Sequence, residues 1–169
     1  MSFRWLANRT FPKGRAAKLV LLATILAGCG GAGAKTQVVS GNGFTFEAPS
    51  DWTVENTARS TSASNGKKVV QASVLPLSRA YTPALFEQVQ PEIERVATAL
   101  KAQLHSTLAG RTLQVAGERA WQYDLTRGDT VWQVTFFLRG KREFQLYCRR
   151  GSRDSNAPCS TLVSSFRPR

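Results

Sequence analysis

Trp121-Gln122-Tyr123-Asp124-Leu125, Trp132-Gln133-Val134-Thr135-Phe136-Phe137-Leu138 and Phe144-Gln145-Leu146-Tyr147-Cys148 are three successive runs in which apolar and polar side chains alternate. A period of two marks an extended strand with a buried face. Thr126-Arg127-Gly128-Asp129 and Arg139-Gly140-Lys141 separate the runs with glycine turns, so the three read as neighbours in an antiparallel meander. The aromatic and aliphatic side chains are expected on one common face, which needs a cover. Pro158 at a helix start, followed by Cys159, Leu162, Val163 and Phe166 at helical spacing, supplies one.

Upstream of the meander the period changes. Thr82 and Pro83 suit a helix start, with Phe86 and Val89 on one side. Pro91 removes a backbone donor, which predicts a short helix to about Gln90 and a second one beginning there. Ile93, Val96, Ala97, Leu100 and Leu104 form the apolar stripe of that second helix, which Gly110 is expected to end. Further back, Gly43 to Ala48 and Trp52 to Val54 read as strands around the turn Pro49-Ser50-Asp51. Ala58 to Asn65, rich in Ser and Thr, reads as a loop, and Lys68 to Leu77 as a strand stopped at Pro76. Gly41-Asn42-Gly43 precedes a strand, not a helix, and lacks the Lys-Ser or Lys-Thr of a phosphate loop, so it reads as a turn. Trp52, Trp121 and Trp132 fall in core phase. The sum is an α+β domain, a mostly antiparallel sheet with helices packed on it.

Phe44-Thr45-Phe46-Glu47-Ala48-Pro49-Ser50-Asp51-Trp52 resembles the F-x-F-x-x-P-x-x-W opening of PsbP-like domains, a group that includes DcrB-like and LpqN-like envelope lipoproteins. The later helix, a Gly-containing strand over Val115-Ala116-Gly117-Glu118-Arg119-Ala120, the paired strands and a terminal helix ending in Ser164-Ser165-Phe166 are also similar. The resemblance implies an α/β/α sandwich without a shared catalytic site, in proteins that mostly serve as accessory or binding modules.

The N-terminus points to export. Arg4, Arg9, Lys13, Arg15 and Lys18 precede an apolar run from Leu19 to Leu26, with no acidic residue among them. The run is shorter than the roughly 20 residues of a spanning helix. Leu26-Ala27-Gly28-Cys29 resembles the lipobox of bacterial lipoproteins, in which cleavage before the cysteine leaves a lipidated first residue. The expected organisation is a signal peptide over 1–28, a Gly-rich tether over 29–37 beginning at lipidated Cys29, and a single domain over 38–169. The exported chain is then held to the cell membrane or outer membrane through its N-terminal lipid.

The chain carries 23 Lys and Arg against 11 Asp and Glu, and five of the basic residues lie in the leader. Outside the cell such a balance favours anionic headgroups or acidic partners, and nucleic acid is not expected in that compartment. Seven residues are candidates for anionic-surface contact, in two groups at opposite ends of the sheet: Arg139, Lys141 and Arg142, and Arg127, Arg149, Arg150 and Arg153. Cys148 and Cys159 are expected to pair, since both share the phase of the sheet-to-helix interface in an oxidising compartment. No metal or cofactor is expected, because one histidine and two paired cysteines do not assemble the usual zinc ligand sets. His105 lies near a helix end beside Ser106 and Thr107, without an arrangement for proton transfer. Asp124 and Glu143, the one pair of strand carboxylates with scope for acid and base work, read as a salt-bridged solvent face around Arg119, Gln133 and Gln145. Arg127-Gly128-Asp129 reads as hairpin chemistry rather than an adhesion motif. The expected function is a non-catalytic binding or accessory module at a membrane surface, touching an envelope protein complex or headgroups. A small envelope hydrolase and a carrier of a small apolar ligand are the alternatives.

Overall fold

A fold of this kind must bury both phases of its central strands, and the doublet Phe136-Phe137 shows how it does so: both rings are almost wholly buried, yet they join different cores. The computed structural model describes residues 35–169. The leader and Cys29 lie outside the described residues. The elements run β1 (Thr36–Gly41), β2 (Phe44–Pro49), β3 (Thr53–Asn56), β4 (Ser60–Asn65), β5 (Lys68–Tyr81), a 3-10 turn (Pro83–Leu85), α1 (Phe86–Leu104), β6 (Thr107–Val115), β7 (Glu118–Arg127), β8 (Thr130–Gly151), α2 (Ala157–Ser165) and β9 (Arg167–Pro168). They form a three-stranded sheet, β1-β2-β9, and a larger one ordered β3-β4-β5-β8-β7-β6, with every pairing antiparallel. No helix of the described residues is long and apolar enough to cross a membrane.

β8 is extended throughout but is not straight. A strand rise of ~3.3 Å would separate Phe137 from Phe144 by ~23 Å, whereas their ring centroids lie 5.8 Å apart. The Ser152 N–H also donates to the Asp129 carbonyl at 2.8 Å. The chain therefore folds back at Gly140, whose φ of 56° suits a tight turn. One arm pairs with β7 and the other with β5.

This hairpin corrects the expectation of one common face. Phe137 meets Phe144, so Phe144, Leu146 and Cys148 lie on the Phe137 side, with Phe44, Phe46 and the α2 residues Cys159 and Leu162. Trp121, Tyr123, Leu125, Val134, Phe136 and Leu138 face the other way, against Ile93 and Ala97 of α1. A helix thus covers each side of the large sheet, and the small sheet shares the α2 side. Trp52 and Trp121 are core residues; Trp132 is only partly buried.

Five further expectations give way. Ala58–Asn65 is not a loop: β4 occupies Ser60–Asn65, with Thr61 and Ala63 buried between outward serines. Alternation among Ser, Thr and Ala is nearly invisible in hydropathy. β5 continues past Pro76, because the pairing register shifts between Pro76 and Tyr81 and a bulge tolerates the missing donor. Pro91 lies inside a single continuous α1. It is exposed, and the Glu87 carbonyl it leaves without a helical donor belongs to an equally exposed residue, where water can serve it. The helix stops at Leu104, not near Gly110, because His105 adopts a left-handed φ of 50° and the Ser106 N–H returns to the Lys101 carbonyl. Gly110 sits in β6 directly opposite Tyr123, and a Cβ there would come within 2.8 Å of the tyrosine ring. β1 begins at Thr36, two residues inside the segment expected to be tether.

Cys148 and Cys159 are disulfide-bonded, tying β8 to α2. The Ser165 hydroxyl adds a second tie, accepting from the Glu47 N–H at 2.8 Å. The purified protein should show no free thiol at these two positions without reductant. Reduction should lower the unfolding free energy by ~3 kcal/mol, as expected for a closed loop of this length. Phe144→Ala, which empties the centre of the aromatic cluster, should cost about 3–5 kcal/mol in denaturant titration. Tyr81, Tyr123 and Tyr147 lie in or against the α1 core, and burial is the largest cause raising each phenol above its ordinary pKa of 10.0. The fold therefore prefers the protonated phenols. Stability should be unaffected by them below pH 10 and should fall as pH rises beyond it, with tyrosinate absorbance appearing later in the folded than in the unfolded chain.

Candidate functional site

The strands run between two ends, and both are basic. At the near end lie the β4–β5 turn at Gly66 and Lys67, the β7–β8 turn at Gly128 and Asp129, and the last turn of α1. Contacts across these elements place them together: Arg149 Nε donates to the Lys67 carbonyl at 2.9 Å, and Arg127 Nη1 reaches the Leu104 carbonyl at 3.5 Å. The Arg150 guanidinium is spent on structure. Its Nε donates to Asn156 Oδ1, and its Nη1 to the carbonyls of Gly151, Ser152 and Asp154. Arg153 stays exposed. Arg127-Gly128-Asp129 forms a two-residue hairpin turn closed by the Arg127 and Thr130 pair.

At the far end lie the β1–β2 turn, the Gly140 turn of β8, the β6–β7 turn and the C-terminus. Arg142 lies over the Phe144 ring at 5.4 Å and close beside Gly43, whose carbonyl accepts the Arg169 N–H. Arg139 pairs with Glu118 at 3.3 Å, and Lys141 is exposed. The β6–β7 turn is tight. Ala116 and Gly117 both have positive φ, 50° and 84°, the signature of a two-residue hairpin turn rather than the continuous strand implied for Val115–Ala120.

Between that turn and the end of α2 opens a shallow cleft of about 430 Å³, lined by Gln114, Ala116, Gly117, Arg139, Ser164, Arg167 and Pro168. A smaller hollow of about 200 Å³ shares Gln114 and Gly117 and continues to Tyr81, Phe86, Glu118 and Arg119. Its floor is stacked: Arg119 lies 3.7 Å over the Phe86 ring, Phe86 stacks on Trp121 with centroids 4.1 Å apart, and Arg119 also pairs with Glu87 at 2.8 Å. Burial and Glu118 raise the Tyr81 phenol above its ordinary pKa, against the smaller opposing effect of Arg119. Arg167 was missed by sequence reasoning. Its place beside the cleft depends on β9 pairing with β2, and two strand residues at a chain end carry no periodicity to read.

The two carboxylates expected on one solvent face do not share it. Asp124 shares the phase of Gln122, whose amide meets Thr135 on the Phe137 face, whereas Glu143 is out of phase with Phe144 and lies on the opposite face. Asp124 instead accepts from Arg111 at 3.1 Å, and Arg111 also reaches Gln122. Glu143 accepts from Gln145 at 2.6 Å. Arg119 is engaged with Phe86 and Glu87, on the α1 side, so the expected single salt-bridged surface is two separate ones. His105 is an exposed helix cap, while the neighbouring Ser106 hydroxyl is buried.

No family model matches the sequence, and no curated protein matches it. Among solved structures, a crystal structure from Bacteroides thetaiotaomicron has a TM-score of 0.47 and 15% identity over 80% of this chain and 48% of its own, so the present chain spans about half of it. The solution structure of cyanobacterial PsbP (CyanoP) from Synechocystis is similar with a TM-score of 0.59, at 13% identity, over 85% of this chain and 99% of that one. The fold is PsbP-like.

Proposed function

We propose that the chain is an exported lipoprotein, anchored by lipid at Cys29, whose α+β domain acts as a non-catalytic binding or accessory module at a membrane surface. The far-end cleft carries this reading. Its Gln114, Ser164 and two arginines offer hydrogen-bond donors and positive charge in a shallow hollow, which suits a polar or acidic protrusion of a partner protein. The basic leader and Leu26-Ala27-Gly28-Cys29 support the anchor, and together with the Phe44–Trp52 motif they favour the DcrB-like and LpqN-like branch of this fold. The partner is an envelope protein complex at the same membrane, with anionic headgroups as a second contact. A lipid anchor raises the effective concentration of such a partner, so a shallow site suffices.

The two alternatives ask for other features. A hydrolase built on His105 needs a nucleophile beside an exposed cap residue. A carrier of apolar ligands needs an apolar cavity, and the hollows described are bordered by Arg139, Arg167, Glu118 and Arg119. A Cys29→Ser variant should lose incorporation of radiolabelled lipid and move to the soluble fraction. A photocrosslinker at Ser164 should capture one reproducible protein in cells, and Arg139→Glu should weaken that capture several-fold. Unchanged membrane association, or capture of lipid alone from Ser164, would count against the reading.

A further inference from the structure

Charge alone does not distinguish the two ends, but the entry of the chain does. Lys35, the first described residue, accepts the Ser50 N–H at 2.9 Å, and neighbouring Asp51 accepts from Asn65 at 3.4 Å. Asn65 ends β4 and closes the β4–β5 turn by pairing with Lys68. The described chain therefore begins at the near end, next to Lys67 and Lys68 and on the same end as Arg149, Arg153 and Arg127.

Contour length then decides which end meets the bilayer. Six residue steps lead from Cys29 to Lys35, a reach of ~20 Å when fully extended. β1 runs from this entry to Gly41, at the turn beside Arg142, six steps from Lys35 and ~20 Å away at strand rise. Standing on its far end would demand the whole tether at full stretch. Standing on the near end demands almost none of it.

We infer that the near end, through Lys67, Lys68, Arg127 and Arg153, is a docking surface for anionic phospholipid headgroups, and that docking turns the far-end cleft outward to its partner. The inference rests on the lipid anchor proposed above. It divides the basic residues by role: the near group faces headgroups, while Arg139 and Arg167 line a cleft held away from them, with Lys141 and Arg142 on that same far end. Arg150 belongs to neither role, because its guanidinium is consumed by the 151–156 loop.

The test uses the lipidated full chain reconstituted into vesicles of phosphatidylcholine, with or without phosphatidylglycerol. A fluorophore is attached to Ser152→Cys at the near end or to Ser164→Cys at the far end, and a headgroup-bound quencher reads proximity. With phosphatidylglycerol present, the near label should be quenched several-fold more than the far one. The ratio should fall to its phosphatidylcholine value at about 1 M salt, where the screening length is about 3 Å. The combined Lys67→Gln, Lys68→Gln, Arg127→Gln and Arg153→Gln variant should do the same, each lost charge lowering docking about fivefold. The salt titration reads the same contact without any change to the four basic residues. Equal quenching of the two labels, stronger quenching of the far label, or a ratio indifferent to salt and lipid charge overturns the orientation while leaving the anchor intact. A chain that fails to float with either vesicle overturns the anchor itself, and the orientation with it.

Discussion

Everything in this fold is arranged around the meeting of five phenylalanine rings on one side of a twofold-covered sheet. Phe144 lies 5.3 Å from Phe166, 5.8 Å from Phe137 and 6.4 Å from Phe44, mostly edge to face, and Phe46 stacks beyond. These rings come from the β2 strand, both arms of β8 and the end of α2, so the cluster joins the N-terminal, central and C-terminal parts of the chain. Edge-to-face pairs add ~0.5–1.5 kcal/mol each beyond their burial. The disulfide fastens the same interface covalently. With that side closed, α1 must cover the other, and the Phe136 phase of the strands makes its core.

The consequence for function is geometric. Both faces of the central strands are committed, so the surface left for recognition lies largely at the sheet ends, where turns, helix termini and the C-terminus converge. The far end is shaped by the tight Ala116-Gly117 turn and by β9, which carries Arg167 past the end of α2 to the rim of the cleft. The near end is shaped by loops whose carbonyls are collected by Arg149 and Arg150. Two basic ends with different architecture, one of them next to the point of chain entry, give the molecule a direction that its net charge does not express.

Much of this was legible in the residues. The alternation of Trp121 to Leu125 and of Phe144 to Cys148, the Gly128 and Gly140 turns, the α2 stripe and the pairing of Cys148 with Cys159 all follow from period and phase, which are local properties. The misreadings share a cause. β4 was hidden because serine, threonine and alanine differ too little in hydropathy to reveal which of them face inward. Pro91 and Pro76 looked like stops because their penalty is a missing donor, and whether that penalty matters depends on whether water or a bulge is at hand.

The sequence by itself determined the alternating strands of the meander, its Gly128 and Gly140 turns, the disulfide and the presence of two basic groups, because each is encoded in spacings of a few residues. Which face each strand presents, that Asp124 and Glu143 stand on opposite sides of the sheet, and that Arg167 joins Arg139 at one cleft were decided only by the tertiary structure. A hairpin register fixes faces for residues that no local pattern connects, and strand pairing brings Arg167 of β9 alongside residues far earlier in the chain. Spacing along a chain cannot encode that meeting; the packing of the phenylalanine cluster does.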